Sequence, residues 1–162
     1  MITFREIDHP RGQVANAGQF RTAANTSPAG HLTRPSHPFS EQQVELAKSS
    51  YLAAALWSSS DEDGAALDLR YGANDVSDEL SRAADEDLHA FLAANAEVIE
   101  RVLQPGYGLS NVGHDLWLTR NGHGGGFWDR GLEDDGVILA NAARTLSEVD
   151  LYMGDDGKVY AV

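Results

Sequence analysis

The chain contains no cysteine, so a disulfide framework, a thiolate metal site and a cysteine nucleophile are all excluded. Long apolar runs are also missing. The longest is Tyr51–Trp57, far below the roughly 18 residues that a membrane-spanning helix needs. The first ten residues have no apolar core of the secretory type, so no signal segment is expected and a cytoplasmic location follows. Proline is scarce beyond residue 40, because four of the five lie at positions 10, 28, 35 and 38. Basic residues are few, with 12 Lys+Arg against 25 Asp+Glu, giving −13. A groove that binds nucleic acid directly should be basic, so the body is not expected to bind one.

The acid is unevenly spread. Residues 1–40 carry 4 basic and 2 acidic groups, and residues 41–104 carry 4 and 14. Residues 1–40, rich in Pro, Gly, Asn, Ser and Thr, read as an extended or disordered arm, with a short edge strand available at 2–7. Residues 41–162 read as one domain, which suits a length of 162. Ser40 and Gln43 form a capping box ahead of a helix over 41–57. Leu80, Ala84, Leu88, Phe91, Leu92, Asn95, Ile99 and Val102 trace the stripe of a second helix over 77–103, which Pro105-Gly106 should end. Its opposite side carries Asp78, Glu79, Asp85, Glu86, Asp87, Glu97 and Glu100, an anionic face able to mimic DNA toward a basic partner.

Beyond residue 105 the pattern alternates. Leu116 and Leu118 fall on one side of a strand over 114–120, with Trp117 and Thr119 on the other. A turn over 121–126 and a return strand at 127–129 complete a hairpin. A third helix over 136–147 and a hairpin of 149–153 with 158–162 around Gly154-Asp155-Asp156-Gly157 follow. The fold class expected is α+β, a small antiparallel sheet of about four strands with two or three helices on one face.

Nine of the 16 glycines lie between 106 and 136, four of them in Asn121-Gly122-His123-Gly124-Gly125-Gly126. A hairpin needs one or two; four can bring bare backbone N–H groups to a surface, where they bind anions or carbonyls. Around this loop gather His114, Asp115, Arg120, Asn121, His123, Trp128, Asp129 and Arg130, the candidate ligand- or partner-binding residues. His114 or His123 can serve as a general base oriented by Asp115 or Asp129. Catalysis stays open, with no nucleophile to name. The same groups could ligate a metal, but no H-E-x-x-H or facial-triad spacing occurs, and neither metal nor cofactor is expected. The loop lacks G-x-G-x-x-G spacing. His123-Gly-Gly-Gly126 is similar to an esterase oxyanion loop, but no G-x-S-x-G elbow accompanies it. His89 reads as structural.

The stretch His114-Asp-Leu-Trp-Leu-Thr-Arg-Asn-Gly-His-Gly-Gly-Gly-Phe-Trp-Asp-Arg130 resembles the H-D-F-W-L-T-R-N-G-H-G-A-G-F-W-D-R core of a family of small proteins from bacteriophages, mobile elements and some bacteria. Leu116 stands where that family has Phe, and Gly125 where it has Ala. The alanine-rich Ala53-Ala-Ala-Leu-Trp57 matches as well. The resemblance implies a setting in which small acidic proteins act as inhibitors of host defence or as regulators. The function expected is therefore that of an acidic, non-enzymatic binding protein. It would engage a protein partner, such as a nucleic-acid-binding or defence factor of the host, through its anionic helix face and Gly-rich hairpin. The alternative is a pocket for a small ligand or nucleotide derivative, or a cofactor-independent His/Asp enzyme, using residues 114–130.

Overall fold

The computed structural model describes residues 34–162, which form one compact unit. The expected edge strand, and residues 1–33 of the expected arm, lie outside the described residues. Helix α1 spans Glu41–Ser58, and its N-terminus carries the expected capping box. The Ser40 hydroxyl accepts from the Gln43 amide at 3.3 Å, and Gln43 Oε1 accepts from the Ser40 amide at 3.0 Å. Two unpaired N–H groups of the helix end are thereby satisfied. Helix α2 spans Asp78–Ala94 and is capped by Ser77, whose Oγ accepts from the Leu80 amide at 3.1 Å.

The expected single helix over 77–103 is two helices. Asn95 breaks it, with its side-chain amide donating to the Phe91 carbonyl at 2.9 Å, and α3 follows over Ala96–Val102. Asn competes for backbone groups in this way, which is why it favours helix ends. The apolar stripe continues across the break, so its periodicity carried no mark of it.

The largest correction concerns residues 114–129. The expected strand over 114–120 is the C-terminal part of helix α4, Leu109–Arg120. The expected return strand is a short 3-10 turn, Phe127–Asp129. Val112, Gly113 and every residue from Asp115 to Arg120 are buried in α4. A helix wrapped on all sides shows no polar face, so its pattern cannot be told from that of a short strand. Helix α5 spans Glu133–Ala143, one turn earlier than expected, with Glu133, Asp134 and Asp135 at its positive end. The terminal hairpin forms as expected, β1 Leu151–Met153 antiparallel to β2 Val159–Ala161, with Tyr152 opposite Tyr160. Among the described residues the architecture is thus five α-helices and one two-stranded antiparallel sheet, where about four strands were expected. None of these helices is long and apolar enough to cross a membrane.

The core centres on α1 against α4. Their backbones meet at Gly113, where a Cβ would lie 2.0 Å from the carbonyl oxygen of Ala47. Alongside, the rings of Tyr51 and Trp117 meet edge to face, 5.1 Å apart. Phe91 and Phe127 stack at 5.8 Å, joining α2 to the turn after α4. The close α1–α4 crossing holds the C-terminal end of α1 beside His114, and there the surface opens.

Candidate functional site

Asp115 is the organising residue. It sits on α4 with no exposed surface, and an ionised carboxylate so placed needs partners. It has three. Arg130 approaches side-on, with Nε 2.9 Å from Oδ2 and Nη2 2.7 Å from Oδ1. The Tyr107 hydroxyl donates to Oδ2 at 2.8 Å, and His114 Nδ1 lies 3.0 Å from Oδ1. Burial, and then the Asp115 charge, push the Tyr107 hydroxyl well above the ordinary phenol range, so it stays a donor. The hydrogen bonds to Asp115 outweigh desolvation and hold the Arg130 guanidinium more firmly protonated than usual.

Because a carboxylate only accepts, His114 Nδ1 carries a proton, and in the neutral ring Nε2 keeps its lone pair. His114 and Arg130 line an open cleft of about 710 Å³. Trp57 and Ser58 from the end of α1 line it too, as do Leu118, His123, Gly124, Gly125 and Asp129. The indole of Trp57 is 59% exposed. A smaller hollow of about 410 Å³, lined by Ser50, Ala53, Ser110 and Asn111, shares the same His114 and Arg130.

The Gly-rich loop is built to pass close under α4. Gly126 adopts φ +138°, and a Cβ there would come within 2.2 Å of Thr119 Oγ1. The same hydroxyl accepts from the Phe127 amide at 3.2 Å. Asp129 accepts from the Gly126 amide at 3.3 Å and lies 3.7 Å from Arg130 Nε. His123 is tied by its amide to the Leu118 carbonyl at 2.9 Å. The amides of Gly124 and Gly125 enter no hydrogen bond among the described residues.

Of the eight candidates around the loop, four line the cleft: His114, His123, Asp129 and Arg130. Asp115 lies behind them and positions two. Arg120 and Asn121 are elsewhere. Arg120 is buried, donating to Tyr51 Oη at 2.6 Å, to Asp87 at 2.5 Å and to the Ser147 carbonyl at 2.6 Å. Burial alone would lower its pKa; Tyr51 and Asp87 outweigh it and raise it. Asn121 donates to the Trp117 carbonyl at 3.0 Å and accepts from the Val149 amide at 2.8 Å, tying the end of α4 to the approach to β1. Trp128 is 53% exposed and outside the cleft. Sequence reasoning missed Trp57 as a wall and Tyr107 as a partner. The only signal for Trp57 was a large aromatic closing an alanine-rich helix.

The anionic face is partly neutralised. Asp85 pairs with Arg34 and lies 3.9 Å from Lys48, and Asp87 pairs with Arg120. Asp78, Glu79, Glu86, Glu97 and Glu100 are exposed.

Chemically, the cleft offers a fixed proton acceptor at His114 Nε2, a guanidinium, a second imidazole and an exposed indole. Ser58 Oγ accepts from Trp117 Nε1 at 2.9 Å, which engages one of its lone pairs. Asp115 spends its oxygens on Arg130, Tyr107 and His114, so it does not serve as a third metal ligand beside the two histidines. Among the described residues no group of three or more His, Asp or Glu can hold a metal ion. Set against protein-family models, curated proteins and solved structures, the chain has no match.

Proposed function

We propose that the chain is a binding protein whose cleft takes a small ligand with a flat, polar group, of the nucleotide-derivative kind. The observation that carries this is the convergence of His114, His123, Asp129 and Arg130 on one open cleft, with His114 and Arg130 both anchored to a buried carboxylate. Side chains fixed before binding lose little entropy on binding. Trp57 supplies the stacking surface, His114 Nε2 accepts a hydrogen bond, and Arg130 Nη1, which enters none among the described residues, donates one. The test is a thermal-shift panel of nucleotides, nucleosides and related small acids. A ligand at about a hundred times its Kd adds about 2.7 kcal/mol, a rise of roughly 5–10 °C for a chain this size. Trp57→Ala and His123→Ala should abolish that rise without lowering the ligand-free Tm by more than a few degrees. Flat curves across the panel reject the reading.

A second reading rests on the exposed carboxylates Asp78, Glu79, Glu86, Glu97 and Glu100 and the charge of −13. They suit an acidic partner of a basic host protein, as the resemblance to phage and mobile-element proteins suggests. Such binding should weaken as salt screens the charges, and also in a Glu86→Lys, Glu97→Lys variant. Retention of a captured protein unchanged in both conditions counts against it.

A further inference from the structure

His89 of α2 is 3% exposed, far from the cleft residues in sequence, and takes no part in the site above. Residues 34–38, which join residues 1–33 to the body, lie against it through Arg34 and His37. Arg34 Nη1 is 3.0 Å from His89 Nε2, and His37 Nε2 is 2.8 Å from His89 Nδ1. The two imidazoles are nearly parallel, 19° apart, with centroids at 4.9 Å.

The chemistry of the partners fixes every proton. A guanidinium has only hydrogens to offer, so His89 Nε2 is an acceptor and the His89 proton is on Nδ1. That N–H donates to His37 Nε2, so a neutral His37 carries its own proton on Nδ1, a buried atom with no hydrogen-bond partner among the described residues. Donation therefore runs one way, from Arg34 through His89 to His37, and it requires both rings to be neutral. A second proton on His89 sets N–H against the guanidinium. A second proton on His37 sets N–H against N–H.

We propose that this relay is a pH-operated latch: protonation of His89 below neutrality detaches residues 34–38 from α2, while Phe39 stays packed on the core. The other groups facing His89 show how it opens. Asp85 accepts from Arg34 and lies 3.9 Å from His89 Nε2, where its charge favours the imidazolium once Arg34 leaves. Glu41 on α1 also favours the charged ring, while Lys48, 3.9 Å from Asp85, competes for that carboxylate. Burial is the largest influence on His89 and, with Arg34 and His37, holds its pKa below the ordinary 6.5. The sign follows: below about pH 6.5 the detached ring binds the proton more readily than the docked one, so docking weakens as pH falls through the docked-state pKa.

The experiment is NMR of the full chain, following the histidine ring nitrogens and the Ser36 and His37 amides from about pH 8 to about pH 5. At the alkaline end both rings should be protonated on Nδ1 alone. On acidification the two amides should move to unfolded-chain positions in step with ring protonation, while those of α4 stay. A His37→Gln, His89→Gln double variant should lose that transition. Unmoved Ser36 and His37 amides at about pH 5, or an identical transition in the double variant, overturns the latch. Should the double variant fail to fold, the wild-type tautomers decide: a proton on Nε2 of either ring at about pH 8 overturns it.

Discussion

At the scale of single residues, Asp115 carries the most weight. Removing a partner from a fully buried ion pair costs about 3–5 kcal/mol. Arg130 has a third of its side chain in solvent and can rehydrate, but the Tyr107 hydroxyl is buried and would lose its acceptor. Asp115→Ala should therefore destabilise by about 3 kcal/mol, read as a lowered urea midpoint. It should also free the His114 ring, so that His114 gains the alternative Nε2-protonated tautomer in NMR spectra. An unchanged midpoint with an unchanged tautomer would show that the carboxylate anchors neither side chain. Asp115 and Arg130 stood out as candidates because a compact run of His, Asp, Arg and Trp exceeds what a turn needs. Arg120 was misplaced for a physical reason: its partners Tyr51, Asp87 and Ser147 lie on three other segments, and no local pattern announces them.

At the scale of elements, one-sided helices were readable and all-round burial was not. Helices α1 and α2 begin where their Ser caps stand, since a cap is a local device. Helix α4 looked like a strand because its polar residues Asp115, Thr119 and Arg120 are buried with the apolar ones. Its Gly113 marks the crossing with α1. Gly113→Ala tests this. In an open helix the change should stabilise by about 1 kcal/mol. Here the new methyl meets backbone, which cannot swing aside, and the helices must separate. The expected outcome is a loss of about 2–3 kcal/mol in denaturant unfolding, with a weakened Tyr51–Trp117 contact visible in near-ultraviolet dichroism. A stabilised Gly113→Ala chain would mean that α1 and α4 do not touch there.

At the scale of the molecule, the core binds its parts together through buried hydroxyls as well as apolar surface, and this makes stability sensitive to alkali. Tyr51, 2% exposed, has its hydroxyl pushed up from 10.0 to about 12, chiefly by burial. Tyr107 moves in the same direction. Between these values the unfolded chain releases a proton that the native one keeps. Stability should hold below about pH 10 and fall steadily toward pH 12. Urea midpoints at about pH 8, 10 and 11 check this; a midpoint independent of pH over that interval would contradict the burial of both phenols. The uneven distribution of acid was plain from the sequence. That Arg34, Lys48 and Arg120 would neutralise its centre was not, because those pairings join α2 to three other segments.

His114 and Arg130 line both hollows and are fastened by one carboxylate. They are a shared frontage: an occupant of either hollow meets the same imidazole and the same guanidinium, so two occupants must compete for both groups.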